Sequence, residues 1–157
     1  MNTYDRIFGA GPRGVILSVA LLSVAYYYEI TVGLGDIFII DSIRFAFIIA
    51  LITFGLILLI WSLKSLPPTK RGKSLVITGA FKYFRHPLYA SLLLFFNMGF
   101  ACLLNDWIYV VWAIGMLPIW SLNVRSEETL MRREFGEEYV VYCNNTWRFV
   151  PRLQIKT

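Results

Sequence analysis

Long apolar blocks separated by short polar stretches dominate the sequence. Four of them approach the roughly 20 residues that a helix needs to cross about 30 Å of hydrocarbon, and they cover residues 14–33, 43–63, 88–104 and 107–124. Backbone polar groups in lipid must be satisfied within their own segment, so the blocks predict helices and not isolated strands. We therefore expect an all-α, polytopic membrane protein with about four transmembrane helices in one domain, residues 1–157.

The third block is short, and only Asn105 and Asp106 separate it from the fourth. So short a connection predicts an antiparallel hairpin of two tightly packed helices. Within it, Asn97 is expected to make a polar contact between the helices, and Pro118 to kink the fourth helix. Before the hairpin, the stretch SLPPTKRGKS is interpreted as a linker, because its two prolines end a helix.

Basic residues are concentrated in alternate connections of this predicted bundle. The 64–87 connection, the tail after the fourth block and the N-terminus carry most of the lysines and arginines, whereas the other two connections carry Asp36, Asp41 and Asp106. By the positive-inside rule, both termini and an amphipathic C-terminal helix are expected in the cytoplasm. The net charge of +5 then reflects topology and attraction to anionic lipids, and no nucleic-acid partner is expected.

The N-terminal sequence MNTYDRIFGAGPRG lacks the charged start, short apolar core and cleavage site of a signal peptide. The first block is therefore expected to remain as a membrane span. The economy of the chain favours the plasma membrane of a prokaryote over the endoplasmic reticulum. No sequence pattern indicates an oligomeric state.

Several common chemistries have no counterpart in the sequence. Cys102 and Cys143 are expected on opposite sides of the membrane, which argues against a disulfide framework. One histidine and two scattered cysteines offer no metal-ligand spacing. There is also no glycine-rich phosphate loop and no serine-nucleophile motif. The polar residues with plausible chemistry lie in two segments, 75–91 and 125–151.

The first segment contains FRHPLYAS, with Arg85, His86 and Pro87 at the start of the third block. Proline suits the first position of a helix, so this helix is expected to begin at Pro87 with its free N–H groups facing the cytoplasm. Such a helix start, reinforced by Arg85, would bind an anionic group such as a carboxylate. The alternative is a capped helix whose Arg85 extends to lipid phosphates.

The second segment is expected to form a helix from about residue 125, with one carboxylate at the head of an aromatic stripe. The residues on this face are Glu128, Met131, Phe135, Tyr139 and Tyr142. A buried carboxylate needs a partner, which favours a binding site. The alternative is an interfacial helix in which Glu128 pairs with Arg132, and in which Tyr142 and Trp147 are interfacial anchors. A break at Gly136 would re-aim the tyrosines.

Joined across the hairpin, the two segments form one motif. Its residues in this chain are Gly79, Tyr83, Arg85, His86, Pro87, Tyr89, Glu127, Glu128, Leu130, Phe135, Gly136, Tyr139, Tyr142 and Pro151. In this order and spacing, residues 75–152 resemble the integral-membrane methyltransferases of the isoprenylcysteine carboxyl methyltransferase type and the related phospholipid N-methyltransferases. Ala80, Phe81 and Ser91 stand where that family usually has proline, tyrosine and glycine, which affects substrate fit more than cofactor binding.

The resemblance implies methyl transfer from S-adenosyl-L-methionine, bound on the cytoplasmic side, to a lipophilic or prenylated acceptor from the bilayer. Arg85, His86 and the helix start would hold the cofactor carboxylate, the glutamates its ammonium or ribose, and aromatic rings its adenine or sulfonium. The cofactor-binding residues so implied are Tyr83, Arg85, His86, Pro87, Leu88, Tyr89, Glu127, Glu128, Phe135 and Tyr139.

Glu128 and Arg125 are the catalytic candidates. A carboxylate acceptor, as in isoprenylcysteine methylation, needs no general base, and Arg125 would orient it. An amine acceptor, as in phospholipid N-methylation, needs a carboxylate such as Glu128 to accept a proton. Carboxyl O-methylation is the first interpretation. A reductase relative that binds a nicotinamide cofactor and a non-catalytic relative are further alternatives.

Overall fold

The computed structural model describes residues 11–67 and 74–152, a part of the chain that is predominantly helical. The elements are α1 (Gly11–Thr31), α2 (Asp41–Ser65), α3 (Pro87–Leu104), α4 (Trp107–Asn123) and α5 (Arg125–Asn145). Four helices are long and apolar enough to cross a membrane, the fourth being α4 continued into α5. The prediction of an all-α chain with about four helices long and apolar enough to cross a membrane is thereby confirmed, and the predicted ends of these helices lie within three residues of the observed ones. The start of the chain and most of the expected linker lie outside the described residues.

The four apolar helices pack in the order α2, α3, α4, α1, each against the next. Their buried core contains Leu58 of α2, Leu93 of α3, and Met116 and Trp120 of α4. The outward faces of α1 and α2 remain apolar and exposed, as at Ile16. Exposed apolar helix faces of this extent suit a hydrocarbon environment.

The turn between α3 and α4 organises the end of the bundle that lies opposite Pro87. Asn105 adopts the left-handed conformation (φ 59°), and Asp106 caps α4 by accepting the N–H of Ile108 at 2.8 Å. The same carboxylate accepts the N–H groups of Leu34 and Gly35, each at 3.1 Å. The short turn thus closes the predicted hairpin and also fixes the α1–α2 connection.

Near Pro87, α1 lies very close to α4. A Cβ atom added to Gly14 would come within 2.5 Å of the Asn123 amide and 2.6 Å of the Trp120 ring, so only glycine permits this approach. The indole N–H of Trp120 donates to the Ser18 hydroxyl at 3.0 Å. The first helix is therefore held against α4 at the end where the candidate site lies.

Candidate functional site

A short 3₁₀ turn, Gly79–Lys82, leads the chain from α2 towards the start of α3. Gly79 has a positive φ of 62°, and an added Cβ would collide with the hydroxyl of Ser65 at the end of α2. That hydroxyl accepts the N–H of Ala80 at 3.0 Å. Glycine is therefore required here both by conformation and by space, and the turn fixes where Arg85 and His86 emerge.

Helix α3 begins at Pro87, as predicted, with His86 as its N-cap residue. The C-terminal stretch returns to run beside this start. The N–H of Arg85 donates to the carbonyl of Trp147 at 2.8 Å, and the N–H of His86 donates to the carbonyl of Arg148 at 3.0 Å. These two backbone bonds place the Arg148 side chain next to the predicted site.

Gly136 produces the turn that makes this return possible. Its backbone (φ 53°, ψ −130°) is not helical and breaks α5, so the expected single aromatic face does not form. Met131 is exposed, whereas Tyr139 and Tyr142 are buried. The Tyr142 hydroxyl donates to the carbonyls of Phe81 and Phe84 at 2.8 and 3.1 Å. The interpretation of Tyr142 as an interfacial anchor is therefore wrong, because it holds the two segments together.

Glu128 lies at the centre of a cluster of three basic side chains. Its Oε1 accepts from Arg85 Nη1 at 3.0 Å and lies 3.4 Å from His86 Nε2. Arg148 contacts both carboxylate oxygens, with Nε at 2.9 Å from Oε1 and Nη2 at 2.6 Å from Oε2. The Glu128 side chain is only 12% exposed. Arg85 and Arg148, rather than the expected Arg132, are thus its ion-pair partners.

These contacts determine the acidity of Glu128. Burial alone would raise the pKa of its carboxyl group, but hydrogen bonds from His86 and Arg148 and the charge of Arg85 outweigh burial and hold the pKa at about 2. The carboxyl group is therefore ionised at neutral pH and is a weak proton acceptor. The same bond to Glu128 raises the pKa of the Arg148 guanidinium.

Because the pKa of Glu128 is depressed from 4.5 in the folded protein, its contribution to stability is fully present above that pH and is lost as the pH falls towards 2. We expect the thermal unfolding midpoints of the wild-type protein and Glu128→Gln to converge over this range. Measuring both unfolding midpoints in detergent between pH 4.5 and about pH 2 tests this expectation. A difference that stays constant down to the lower end of the range would contradict it.

Glu127 makes a second, smaller set of contacts beside the cluster around Glu128. Its Oε1 accepts the Tyr89 hydroxyl at 2.8 Å, and its Oε2 lies 3.7 Å from His86 Nδ1. The single imidazole therefore lies between two adjacent carboxylates, one at each ring nitrogen. Its ring stacks on Tyr89 (centroids 5.8 Å apart), and Tyr89 in turn packs against Trp120 at 5.0 Å.

The structure brings five of the predicted residues together with His86, and the others lie beside this cluster or away from it. Tyr139 is buried beside the cluster, within electrostatic range of Glu128, Arg85 and Arg148. Tyr83 instead packs against Trp61 of α2 at 5.9 Å. Leu88 is half-buried in the first turn of α3. The six that cluster are Arg85, His86, Pro87, Tyr89, Glu127 and Glu128.

Within the described residues, the side chains of two predicted site residues form no hydrogen bond, ion pair or ring contact with this cluster. Phe135 is half-buried just before the break at Gly136 and makes no ring contact with His86 or Tyr89 in the described chain. Arg125 is exposed in the first turn of α5 and, within the same residues, forms no ion pair. Their assigned roles in cofactor binding and catalysis remain predictions.

Arg148 is the residue of this cluster that sequence reasoning did not select. Helical spacing pointed to Arg132, four residues from Glu128 along α5, whereas the observed partner is 20 residues away. The available signal was indirect, since a half-buried carboxylate in an aromatic stripe needs a cation and Gly136 can reverse the chain. Only the path after Gly136 identifies which cation it is.

No protein-family model matches this chain, and no curated protein sequence matches it.

Proposed function

We propose that this chain is an S-adenosyl-L-methionine-dependent methyltransferase that acts on a lipophilic acceptor, with a carboxylate as the methylated group and an isoprenylcysteine-like compound as the first candidate. The observation that carries the proposal is the cluster of Arg85, His86, Glu127, Glu128 and Arg148 at the start of a membrane-spanning helix. This cluster places positively and negatively charged side chains next to aromatic rings, beside an apolar helix bundle.

The residues present fit the chemical groups of the cofactor. Its carboxylate requires cationic N–H donors, and the Nε of Arg85 is buried without a hydrogen-bond partner among the described residues. Its ammonium requires an anion, which Glu127 would supply. The faces of the His86 and Tyr89 rings suit adenine or a sulfonium. When bound, the cofactor supplies an electrophilic methyl group.

Glu128 is better suited to holding the site together than to accepting a proton. Both its oxygens are engaged by basic side chains, and its pKa of about 2 makes it a weak base. A carboxylate acceptor needs no base, because it attacks in its ionised form and the chain has only to align it. The depressed pKa of Glu128 therefore favours carboxyl O-methylation over phospholipid N-methylation, in which Glu127 would be the remaining candidate base.

We further propose that the site and both termini face the cytoplasm of a prokaryotic plasma membrane. The support is the distribution of basic residues. Arg85, Arg125 and Arg148 lie at the end of the bundle where α3 starts and α4 ends, whereas Asp36 and Asp106 lie at the other end. Cysteine accessibility to an impermeant reagent tests this orientation, with Cys143 labelled only after access to the cytoplasmic side.

The central test is cofactor binding to the detergent-purified full chain. We expect S-adenosylhomocysteine to bind with a Kd in the range of about 1–100 μM, and His86→Ala to abolish the binding heat, because His86 touches both carboxylates. Glu134→Gln, an exposed change on α5, is the control. Binding of a nicotinamide cofactor instead, or of neither compound, would refute the proposal.

The stability of the labelled product in alkali shows which chemical group is methylated. Host membranes incubated with the chain and radiolabelled S-adenosyl-L-methionine should acquire label that alkali releases as methanol, since a carboxyl methyl ester is base-labile. Label that resists alkali and remains on an amine would favour the phospholipid alternative.

A further inference from the structure

A partly open cavity of about 260 Å³ lies between α1, α3 and α4. Val19 of α1 and Phe100 of α3 form two of its walls, and Trp112 of α4 also lines it. At one end it reaches Tyr89, whose hydroxyl donates to Glu127 at 2.8 Å. The cavity therefore borders the candidate site at Tyr89 and lies along the apolar helices.

Asn97 is the polar side chain in this lining that forms no hydrogen bond with the part of the chain that the structure describes. The other polar groups are engaged: the hydroxyl of Ser18 donates to the carbonyl of Gly14, and the indole N–H groups of Trp112 and Trp120 both donate to Ser18. The half-buried Asn97 amide makes no hydrogen bond within residues 11–67 and 74–152, so the expected contact between helices is not formed. An unpaired amide is unfavourable at the depth of a membrane-spanning helix.

Helix α3 departs from regular α-helical geometry directly before Asn97. Residues Ser91–Phe96 form a π-helical segment within α3, and the N–H of Asn97 bonds back to the carbonyl of Leu92. On a regular α-helix, Tyr89 and Asn97 would diverge by about 80° around the axis, yet both line this cavity. Segments of this kind occur frequently at functional sites.

We propose that this cavity holds the hydrocarbon chain of the methyl acceptor, and that Asn97 hydrogen-bonds to a hydroxyl or carbonyl oxygen partway along that chain. The ligand class is a single-chain lipid carboxylate that is oxygenated partway along its chain. An unmodified prenyl chain carries no such oxygen and is therefore a less suitable occupant. The cavity volume of about 260 Å³ lies just below the range of about 300–1,000 Å³ for drug-sized ligands, which suits one chain better than two. This inference rests on the proposed function, because it assigns the acceptor of the same site.

Competition against a brominated fatty acid tests the inference on the full chain in detergent. Bromine bound in the cavity quenches Trp112 and Trp120, which line it. Ricinoleic acid and oleic acid, which differ by one hydroxyl partway along the chain, serve as competitors. We expect ricinoleic acid to displace the probe at about fivefold lower concentration. In Asn97→Leu this preference should disappear while oleic acid binds as before.

Equal displacement by the two acids in the wild-type protein, a preference that survives in Asn97→Leu, or no quenching at all would overturn the inference. A second variant keeps the test decisive if Asn97→Leu does not fold. Val19→Trp, which fills the cavity, should weaken both acids about tenfold, whereas Val24→Trp on the exposed face of α1 should not. Equal behaviour of these two variants would also overturn it.

Calorimetry with S-adenosylhomocysteine on the same preparations separates the two proposals. If the wild-type protein and Asn97→Leu bind this compound normally but the acids are not distinguished, the chain-recognition inference fails alone. If the wild-type protein does not bind it, the proposed function fails, and the inference about its acceptor fails with it.

Discussion

Glu128→Gln is expected to abolish S-adenosylhomocysteine binding and to destabilise the protein more than any other single change at the site. The substitution leaves Arg85 and Arg148, whose side chains are 16% and 28% exposed, facing each other without an anion between them. Removing one partner from a buried ion pair costs about 3–5 kcal/mol, and partial solvent access reduces this to about 2–4 kcal/mol of unfolding free energy. The loss of affinity should be about 100-fold or greater.

Two measurements separate the loss of binding from the loss of folding. The thermal unfolding midpoint identifies a temperature at which the variant remains folded, and calorimetry at that temperature reports affinity. Glu134→Gln removes the same charge from an exposed position on the same helix and should change neither quantity appreciably. A folded Glu128→Gln protein that binds S-adenosylhomocysteine normally would show that the carboxylate does not organise the site.

Arg148→Ala should weaken S-adenosylhomocysteine binding by at least tenfold, whereas Arg125→Ala should leave it within about twofold. Arg148 contacts both oxygens of Glu128, while Arg125 is exposed. The loss of the paired contact is expected to cost about 1–3 kcal/mol of unfolding free energy, and an exposed change at most about 0.5 kcal/mol. Calorimetry and thermal unfolding of both variants test this contrast.

Arg148→Lys refines the comparison, because lysine keeps the charge but cannot reproduce the two-point contact of a guanidinium. It should lie between the wild-type protein and Arg148→Ala in both measurements. If Arg125 orients the acceptor, as the family resemblance implies, Arg125→Ala will raise the KM for the acceptor without changing cofactor affinity. A larger loss of cofactor affinity in Arg125→Ala than in Arg148→Ala would contradict the arrangement described above.

The membrane helices were predictable because length and hydropathy act locally. A run of about 20 apolar residues has few stable alternatives to a helix in hydrocarbon. The start of α3 was equally local, since Pro87 occupies a position where its missing N–H is tolerated. The turn at Asn105 and Asp106 followed from its length alone. Each of these features depends on neighbouring residues and on the solvent, and not on distant parts of the chain.

The partners of the charged residues were not predictable in this way. Arg132 and Arg148 both follow Glu128 in the same basic tail, and local spacing favours the nearer one. Which one pairs depends on the backbone at Gly136 and on the bonds that hold residues 147 and 148 beside Arg85 and His86. The predicted contact of Asn97 between the two helices of the hairpin was wrong for a related reason, because the orientation of Asn97 depends on the π-helical segment before it.

By itself, the sequence determined that this chain forms apolar helices long enough to span a membrane, where the third begins, and which two polar segments hold the candidate site residues. Only the tertiary structure decided that Arg148 closes the cluster around Glu128, and that a cavity runs from Tyr89 to Asn97. The physical reason is that these features depend on interactions of different range along the chain. The burial of apolar blocks is fixed by local composition, whereas ion pairs and cavities depend on the relative positions of segments that are distant in the sequence.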